Sequence, residues 1–140
     1  SAMRPGIAVW DKYVHVTWFD RRDSKGILDW DIYCKRSMDR GTTWEEDIRM
    51  THTPHHTRHP QIVTTSDGRV CCFWEDGQRY DGTRWFGDAA LFVSVSDDHG
   101  QTWNEPERLT FINAPNSWAT HPKSYACGNR IHLVWTDSPE

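Results

Sequence analysis

Charged residues that could bind an anionic ligand recur along this 140-residue sequence at the ends of its most apolar segments. Trp18, Trp74 and Trp135 are each followed, after one intervening residue, by an aspartate. Arginines lie near the first two aspartates, and a planar guanidinium can donate two parallel hydrogen bonds to a carboxylate. The group comprises Asp20, Arg21, Arg22, Arg58, His59, Asp76, Arg79, His121 and Asp137. The same charges would also fit solvated loop ends, where arginine and aspartate only bridge neighbouring loops.

Three pairs of short segments have the composition of antiparallel strands that could position these charges. Each pair begins at a proline, namely Pro5, Pro60 and Pro122, and continues after a turn into a denser apolar run at 13–18, 70–74 and 131–135. Proline lacks the amide hydrogen that a strand ladder uses, so each is predicted at a first strand position or on an edge strand. The turns have hairpin composition.

Third and fourth strands are predicted in the first two units only. The third strands are 31–36 and 90–95, and the fourth run from Trp44 to Met50 and from Trp103 to Leu109. Four-stranded antiparallel units in series are the blades of a β-propeller. The sequence therefore predicts an all-β fragment of a propeller in one partial domain, with two complete blades and half a third, at about 4–52, 58–112 and 120–140.

A repeated octapeptide, Ser-x-Asp-x-Gly-x-Thr-Trp, lies between the third and fourth strands of both complete units. Serine and aspartate side chains can accept hydrogen bonds from nearby backbone amides, and glycine supplies a positive φ. We interpret the repeat as a structural turn whose tryptophan packs between sheets, not as a catalytic acid. Its residues are Ser37, Asp39, Gly41, Thr43, Trp44, Ser96, Asp98, Gly100, Thr102 and Trp103.

The position of this turn predicts where the charged residues lie. If it joins the third and fourth strands at one end of a blade, the loops before the first strand and after the second strand lie at the opposite end. The charged group listed above would then share one face, which is a plausible surface for an anionic sugar. Trp30, Trp85 and Trp118 could stack on sugar rings, and Trp85 and Trp118 could equally pack between blades.

The octapeptides resemble the Asp-box, or BNR repeat, of the sialidase superfamily of β-propellers, over nearly the whole chain. Arg58-His59-Pro60 and the later Arg79 are similar to the Arg-Ile-Pro segment and downstream arginine of true sialidases. The resemblance implies that Arg58 belongs to a triad that grips a substrate carboxylate. It also implies that Asp81 or Asp88 could stand where the acid/base aspartate would, with the tyrosine nucleophile, its glutamate and further arginines beyond Glu140.

The histidine-rich segment 52–59 could suggest a metal site, because it contains His52, His55, His56 and His59. No carboxylate or cysteine is interleaved, so we interpret it as a loop between blades and predict no metal and no cofactor. Four cysteines are too few for a disulfide scaffold, and adjacent Cys71 and Cys72 must point to opposite faces of a strand. We therefore expect reduced structural thiols.

Composition excludes some partners. The formal net charge of −4 gives no basic face for nucleic acid. No apolar segment is long enough to span a membrane and no leader is recognised, so neither membrane attachment nor a cellular location is predicted.

Two and a half blades cannot close a propeller, which generally needs about four to eight. We expect either self-association or further blades from a longer chain. The favoured function is a non-catalytic or degenerate sialidase-like module that binds a glycan or a partner through the face bearing Arg58, with ligand contacts from Arg22, Arg79, Asp20 and Asp76. The alternatives are the N-terminal part of an exo-sialidase and a purely structural repeat module.

Overall fold

The computed structural model describes residues 2–23, 29–80, 83, 85–111 and 117–138, and among these it contains strands but no helix. The first sheet consists of β1 (Met3–Trp10), β2 (Tyr13–Asp20), β3 (Asp31–Ser37) and β4 (Ile48–Arg49), in that order. Every strand pair in it is antiparallel. The all-β prediction is confirmed.

The second sheet repeats this order with one addition. It consists of β5 (His56–Thr64), β6 (Val70–Tyr80), β8 (Ala90–Ser96) and β9 (Glu107–Arg108), while β7 (Trp85–Phe86) pairs with the far end of β6. The third sheet contains β10 (Ala119–Cys127) and β11 (Arg130–Asp137). These pairs are also antiparallel.

Each proline is predicted at a first strand position or on an edge strand, and the structure shows the edge position. Pro5, Pro60 and Pro122 lie inside β1, β5 and β10, at the points where the pairing register shifts. A bulge leaves one residue unpaired, so it accommodates a residue that has no amide hydrogen. Each of these strands is also an edge strand of its sheet, as expected.

The predicted fourth strands are too long, because β4 and β9 have only two residues each. Between Gly41 and Ile48 the chain is held by individual hydrogen bonds to the octapeptide turn and to β3, without a regular strand ladder. The indole Nε1 of Trp44 donates to the carbonyl of Gly41 at 3.1 Å, and the amide of Glu45 donates to the carbonyl of Arg36 at 2.9 Å. Regular pairing begins only at Ile48.

The two octapeptide turns share three hydrogen bonds that involve their serine and aspartate side chains. Oγ of Ser37 accepts from the amide of Gly41 at 2.8 Å, and Asp39 accepts from the amide and hydroxyl of Thr43 at 2.8 and 2.6 Å. In the second turn the equivalent distances are 2.7, 2.8 and 2.6 Å. These bonds, led by those from Thr43, lower the pKa of Asp39 to about 2. Gly41 and Gly100 have φ of 89° and 82°, a region that glycine adopts readily.

Apolar side chains pack in two layers between the three sheets. One layer joins the first sheet to the second through Phe19, Ile32 and Trp74, and the other joins the second to the third through Phe73 and Leu133. Cys72 lies in the first layer and Cys71 in the second, as strand alternation predicts. None of the four cysteines, all within the described chain, forms a disulfide.

The three described sheets do not close a ring, and within the described chain the outer faces of the first and third sheets carry exposed apolar side chains. Ile7 is 65% exposed on the first sheet, whereas Ile62, in the equivalent position of the second sheet, is 6% exposed. The same difference separates the octapeptide tryptophans: Trp103 packs against the first layer, but Trp44 is 40% exposed. The expectation that both would pack between sheets is wrong for Trp44, because none of the three described sheets covers that side.

Candidate functional site

A buried carboxylate, Glu75 on β6, organises polar side chains from the second and third sheets. Its Oε1 accepts from Nη2 of Arg58 at 2.6 Å, and its Oε2 lies 2.8 Å from Nδ1 of His59. The hydroxyl of Thr120, on β10, also donates to Oε2. Nη2 of Arg58 also donates to Oε1 of Gln78, at 2.6 Å. Arg58 is therefore held by two acceptors from β6.

The Glu75 carboxyl stays ionised although it is only 1% exposed. Burial opposes ionisation, but the hydrogen bond with His59, the charge of Arg58 and the hydroxyl of Thr120 outweigh it and lower the pKa to about 2. An ionised carboxylate can only accept hydrogen bonds, so Nδ1 of His59 must carry a hydrogen.

The same reasoning fixes the tautomer of a second histidine. The Thr120 hydroxyl gives its single hydrogen to Glu75, and its oxygen lies 3.1 Å from Nδ1 of His121. The oxygen must therefore accept from His121, which places a hydrogen on that Nδ1 as well. The two imidazole rings stack at a centroid distance of 4.1 Å. In both rings, Nε2 remains for a ligand or a proton.

Arg58 opens onto a cavity of about 470 Å³ that an exposed tryptophan also lines. Trp118 is 39% exposed, and a bridge between Ala89 and Trp118 connects the second and third sheets beside it. A flat indole next to a fixed guanidinium can bind the apolar face of a sugar ring and a charged substituent together. The lining residues are Arg4, Arg58, His59, Gln78, Trp118, Thr120 and His121.

The structure places Arg22 and Asp20 in a different cluster, on the first sheet. Nη2 of Arg22 contacts Asp20 at 3.1 Å and Nη1 contacts Asp47 at 2.6 Å. The guanidinium also lies 4.6 Å from the ring centre of Tyr33. This arrangement ties the loop after β2 to its own sheet, and neither residue lines the Arg58 cavity.

Asp76 is not among the residues that line the Arg58 cavity. It accepts from the Thr53 hydroxyl at 3.3 Å, and Nδ1 of His55 lies 3.7 Å away. Burial raises its pKa, against the opposing charge of His55 and the hydrogen bond from Thr53. Asp88 is exposed on the loop before β8. The side chain of Arg79 and the whole of Asp81 lie outside the described residues.

The histidine-rich segment is spread over several environments. His59 belongs to the Glu75 network, His56 is buried in β5, and His55 lies near Asp76. In the part of the chain that the structure describes, no group of three or more His, Cys, Asp or Glu side chains is placed to hold a metal ion. No described helix could span a membrane.

Glu75, Gln78, Thr120 and Arg4 are the cavity and network residues that sequence reasoning missed. Glu75 and Thr120 are 45 positions apart, so no local spacing relates them. One signal was available: Arg4-Pro5, His59-Pro60 and His121-Pro122 occupy equivalent positions in the three units. The first residues of such equivalent dipeptides should lie close together in a repeat fold.

The fold and the cavity define an all-β protein of stacked antiparallel sheets whose solved neighbours include glycoside hydrolases of the propeller type. A Hadza microbial sialidase is 23% identical with a TM-score of 0.61, over 74% of this chain. A Penicillium chrysogenum alpha-L-arabinanase complexed with arabinobiose is 13% identical with a TM-score of 0.57, over 99%. A protein of unknown function from Dyadobacter fermentans is 16% identical with a TM-score of 0.58, over 98%.

These likenesses show the fold alone. The chain spans 25%, 45% and 54% of those three structures, respectively. No family model matches the sequence, and no curated protein matches it.

Proposed function

We propose that this chain is a sugar-binding module of the sialidase-like propeller type, which binds an acidic sugar in the cavity that Arg58 and Trp118 line. The observation that carries the proposal is their presence in one cavity, with Arg58 anchored on Glu75 and Gln78. A binding site of this kind needs few contacts, provided that they are fixed before the ligand arrives.

The charges around Arg58 favour an anionic ligand. Glu75 supplies one negative charge, while Arg58 and Arg4 supply two positive charges. A guanidinium carries five N–H donors in a planar fork, which matches the geometry of a carboxylate. The likeness to a sialidase and an arabinanase supports a sugar as the carrier of that carboxylate.

Titration calorimetry with a sialic acid, compared with a neutral monosaccharide, tests this proposal. Trp118→Ala should weaken binding of the acidic sugar at least tenfold, because it removes the indole without disturbing the Glu75 network. Trp44→Ala is the matched control, since this tryptophan has almost the same exposure and lies in the octapeptide turn. Equal binding of the acidic and the neutral sugar, or equal loss in both variants, would contradict the proposal.

The alternative is that the chain is the N-terminal part of a working exo-sialidase. The sialidase neighbour favours it, because the chain spans only 25% of that structure. Hydrolysis of a fluorogenic sialoside that is lost in Arg58→Ala would establish the enzyme, whereas binding without hydrolysis supports the module. In a purely structural repeat, no sugar on a glycan array would bind.

A further inference from the structure

A second cavity, of about 260 Å³, adjoins the Arg58 cavity along the first strands of the three sheets. Its walls come from β1, β5 and β10 only. The two cavities share Arg4, His59 and His121. The lining residues are the dipeptides Arg4-Pro5, His59-Pro60 and His121-Pro122, together with Gln61 and Lys123.

An unusual backbone conformation recurs at the three shared residues. Arg4, His59 and His121 have φ of 49°, 53° and 54°, and each precedes a proline at a register shift. A side chain other than glycine in this region costs on the order of 1–3 kcal/mol and concentrates at ligand sites. A bulge also redirects its side chain. The repeat therefore directs one nitrogen-bearing side chain per sheet to the same place.

Positive charge in this second cavity is not balanced by acidic residues. None of its lining residues is an aspartate or glutamate. Within the described chain, neither Arg4 nor Lys123 has an ion-pair partner. Glu75 contacts His59, but it already accepts from Arg58 and Thr120.

The imidazole of His121 responds to this crowding. Burial lowers its pKa, the positive charge of His59 lowers it further, and Arg4 and Arg58 act in the same direction. Only Glu75 opposes them. An anion in the cavity would reverse the effect of these neighbours, because it stabilises the protonated ring.

We propose that this second cavity is a binding site for a tetrahedral oxyanion, a sulfate or phosphate group, held between Arg4, His59, His121 and Lys123. Donors that approach from three separate strands suit an oxyanion with several oxygens pointing in different directions. A planar carboxylate is better matched by a single guanidinium fork. The inference does not depend on the proposed sugar site, since inorganic sulfate alone would bind.

Histidine side-chain NMR, with the 140-residue chain titrated by sodium sulfate at constant ionic strength, provides the test. We expect saturable shifts of the His59 and His121 resonances, while His132, which is exposed outside the cavity, stays unchanged. Sodium chloride at the same ionic strength should give no saturable shift. An equal response to chloride, or no response to sulfate, would overturn the proposal.

Substitutions separate this site from general charge effects. Arg4→Gln with Lys123→Gln should weaken sulfate binding at least tenfold. Arg130→Gln with Lys12→Gln removes the same charge outside the cavity and should leave affinity unchanged. Thermal unfolding of both double variants checks that they fold. If sulfate affinity fell equally in the two double variants, binding would depend on the overall surface charge and not on this cavity, and the proposal would be overturned.

Two further measurements, a comparison of ligands and a pH dependence, identify the source of the oxyanion and the role of the His121 imidazole. If inorganic phosphate and sulfate bind as well as a sulfated monosaccharide, the free ion is sufficient. If the free ions bind but the sulfated sugar binds at least tenfold more tightly, the group arrives on a glycan. Affinity for sulfate should be higher at pH 5.5 than at pH 8, because a bound anion stabilises the protonated ring of His121, which then has a donor at Nε2 as well. A pH-independent affinity would exclude this imidazole from the site.

Discussion

The imidazole of His59 on the second sheet stacks on that of His121 on the third sheet, with 4.1 Å between ring centres. Both rings carry a hydrogen at Nδ1, because the chain of hydrogen bonds through Thr120 ends on the ionised carboxylate of Glu75. One buried carboxylate thus orients two imidazoles and one guanidinium from two sheets. Altering it should affect stability and ligand binding together.

Replacing Glu75 by glutamine tests this dependence on charge. The variant keeps the shape of the side chain but leaves Arg58 as a largely buried charge beside a neutral amide. Breaking a buried ion pair by removing one partner costs about 3–5 kcal/mol. We therefore expect the free energy of unfolding, measured in urea, to fall by about 3 kcal/mol.

Glu107→Gln is the control for this experiment, because Glu107 is exposed on β9 and has no part in the network. It should change the free energy of unfolding by less than about 0.5 kcal/mol. If Glu75→Gln lowered the free energy of unfolding no more than Glu107→Gln does, the carboxylate would not be holding the two sheets together.

Two other histidines make stability depend on pH. Burial is the main cause that lowers the pKa of His15 and of His56 to about 4, whereas an unfolded histidine titrates near 6.5. Between these values the unfolded chain binds protons that the folded chain does not. The stabilisation is therefore complete above pH 6.5 and is lost as the pH falls towards 4.

We expect the free energy of unfolding to fall by about 2 kcal/mol per histidine between pH 7 and pH 5. Urea unfolding at several pH values measures the slope. The double variant His15→Gln, His56→Gln should flatten it, while His132→Gln should not. Glu75 contributes in a lower window: its stabilisation is present above about pH 4.5 and is lost as the pH falls to about 2. A slope that survives the double variant would assign the effect to other groups.

The strands and turns could be predicted because their signals are local. The alternation that separates Cys71 from Cys72, and the Ser-x-Asp-x-Gly-x-Thr-Trp spacing, depend on neighbouring residues. The site could be predicted only in part. Arg58 was named, but its partners Glu75 and Gln78 depend on how β5 pairs with β6, and Thr120 depends on how the third sheet docks.

The length of β6 is another feature that could not be predicted from local sequence signals. Apolar periodicity ends at Trp74, yet β6 continues to Tyr80 through Gly77. Gly77 has a φ of 129°, and a Cβ there would lie 2.2 Å from the carbonyl oxygen of Asp88. That close approach depends on a residue outside the strand, so the sequence of β6 alone does not reveal it.

Gly77→Ala should therefore be strongly destabilising, because the backbone of Asp88 must move. We expect a loss of about 3 kcal/mol in urea unfolding, together with weaker sugar binding, since Gln78 follows directly. Gly128→Ala is the matched control: its φ is also positive, at 61°, but a Cβ would meet nothing within 4 Å. We expect Gly128→Ala to lower the free energy of unfolding by about 1 kcal/mol. Similar losses in both variants would mean that φ, and not the contact with Asp88, sets the cost.

The uncovered faces of the first and third sheets lead to a prediction about association. Ile7 is 65% exposed on one face and Tyr125 is 70% exposed on the other, and apolar side chains of a sheet are normally covered. We expect the 140-residue chain to associate reversibly at micromolar concentrations, with sheet faces burying each other. Sedimentation velocity measures this, and Ile7→Lys with Val134→Glu should shift the chain towards the monomer. Lys12→Glu with Arg130→Glu, two charge changes at exposed positions in or next to hairpin turns, should leave association unchanged. A monomer that binds no dye for exposed apolar surface would contradict the expectation, because its faces would then be stable in water without a partner.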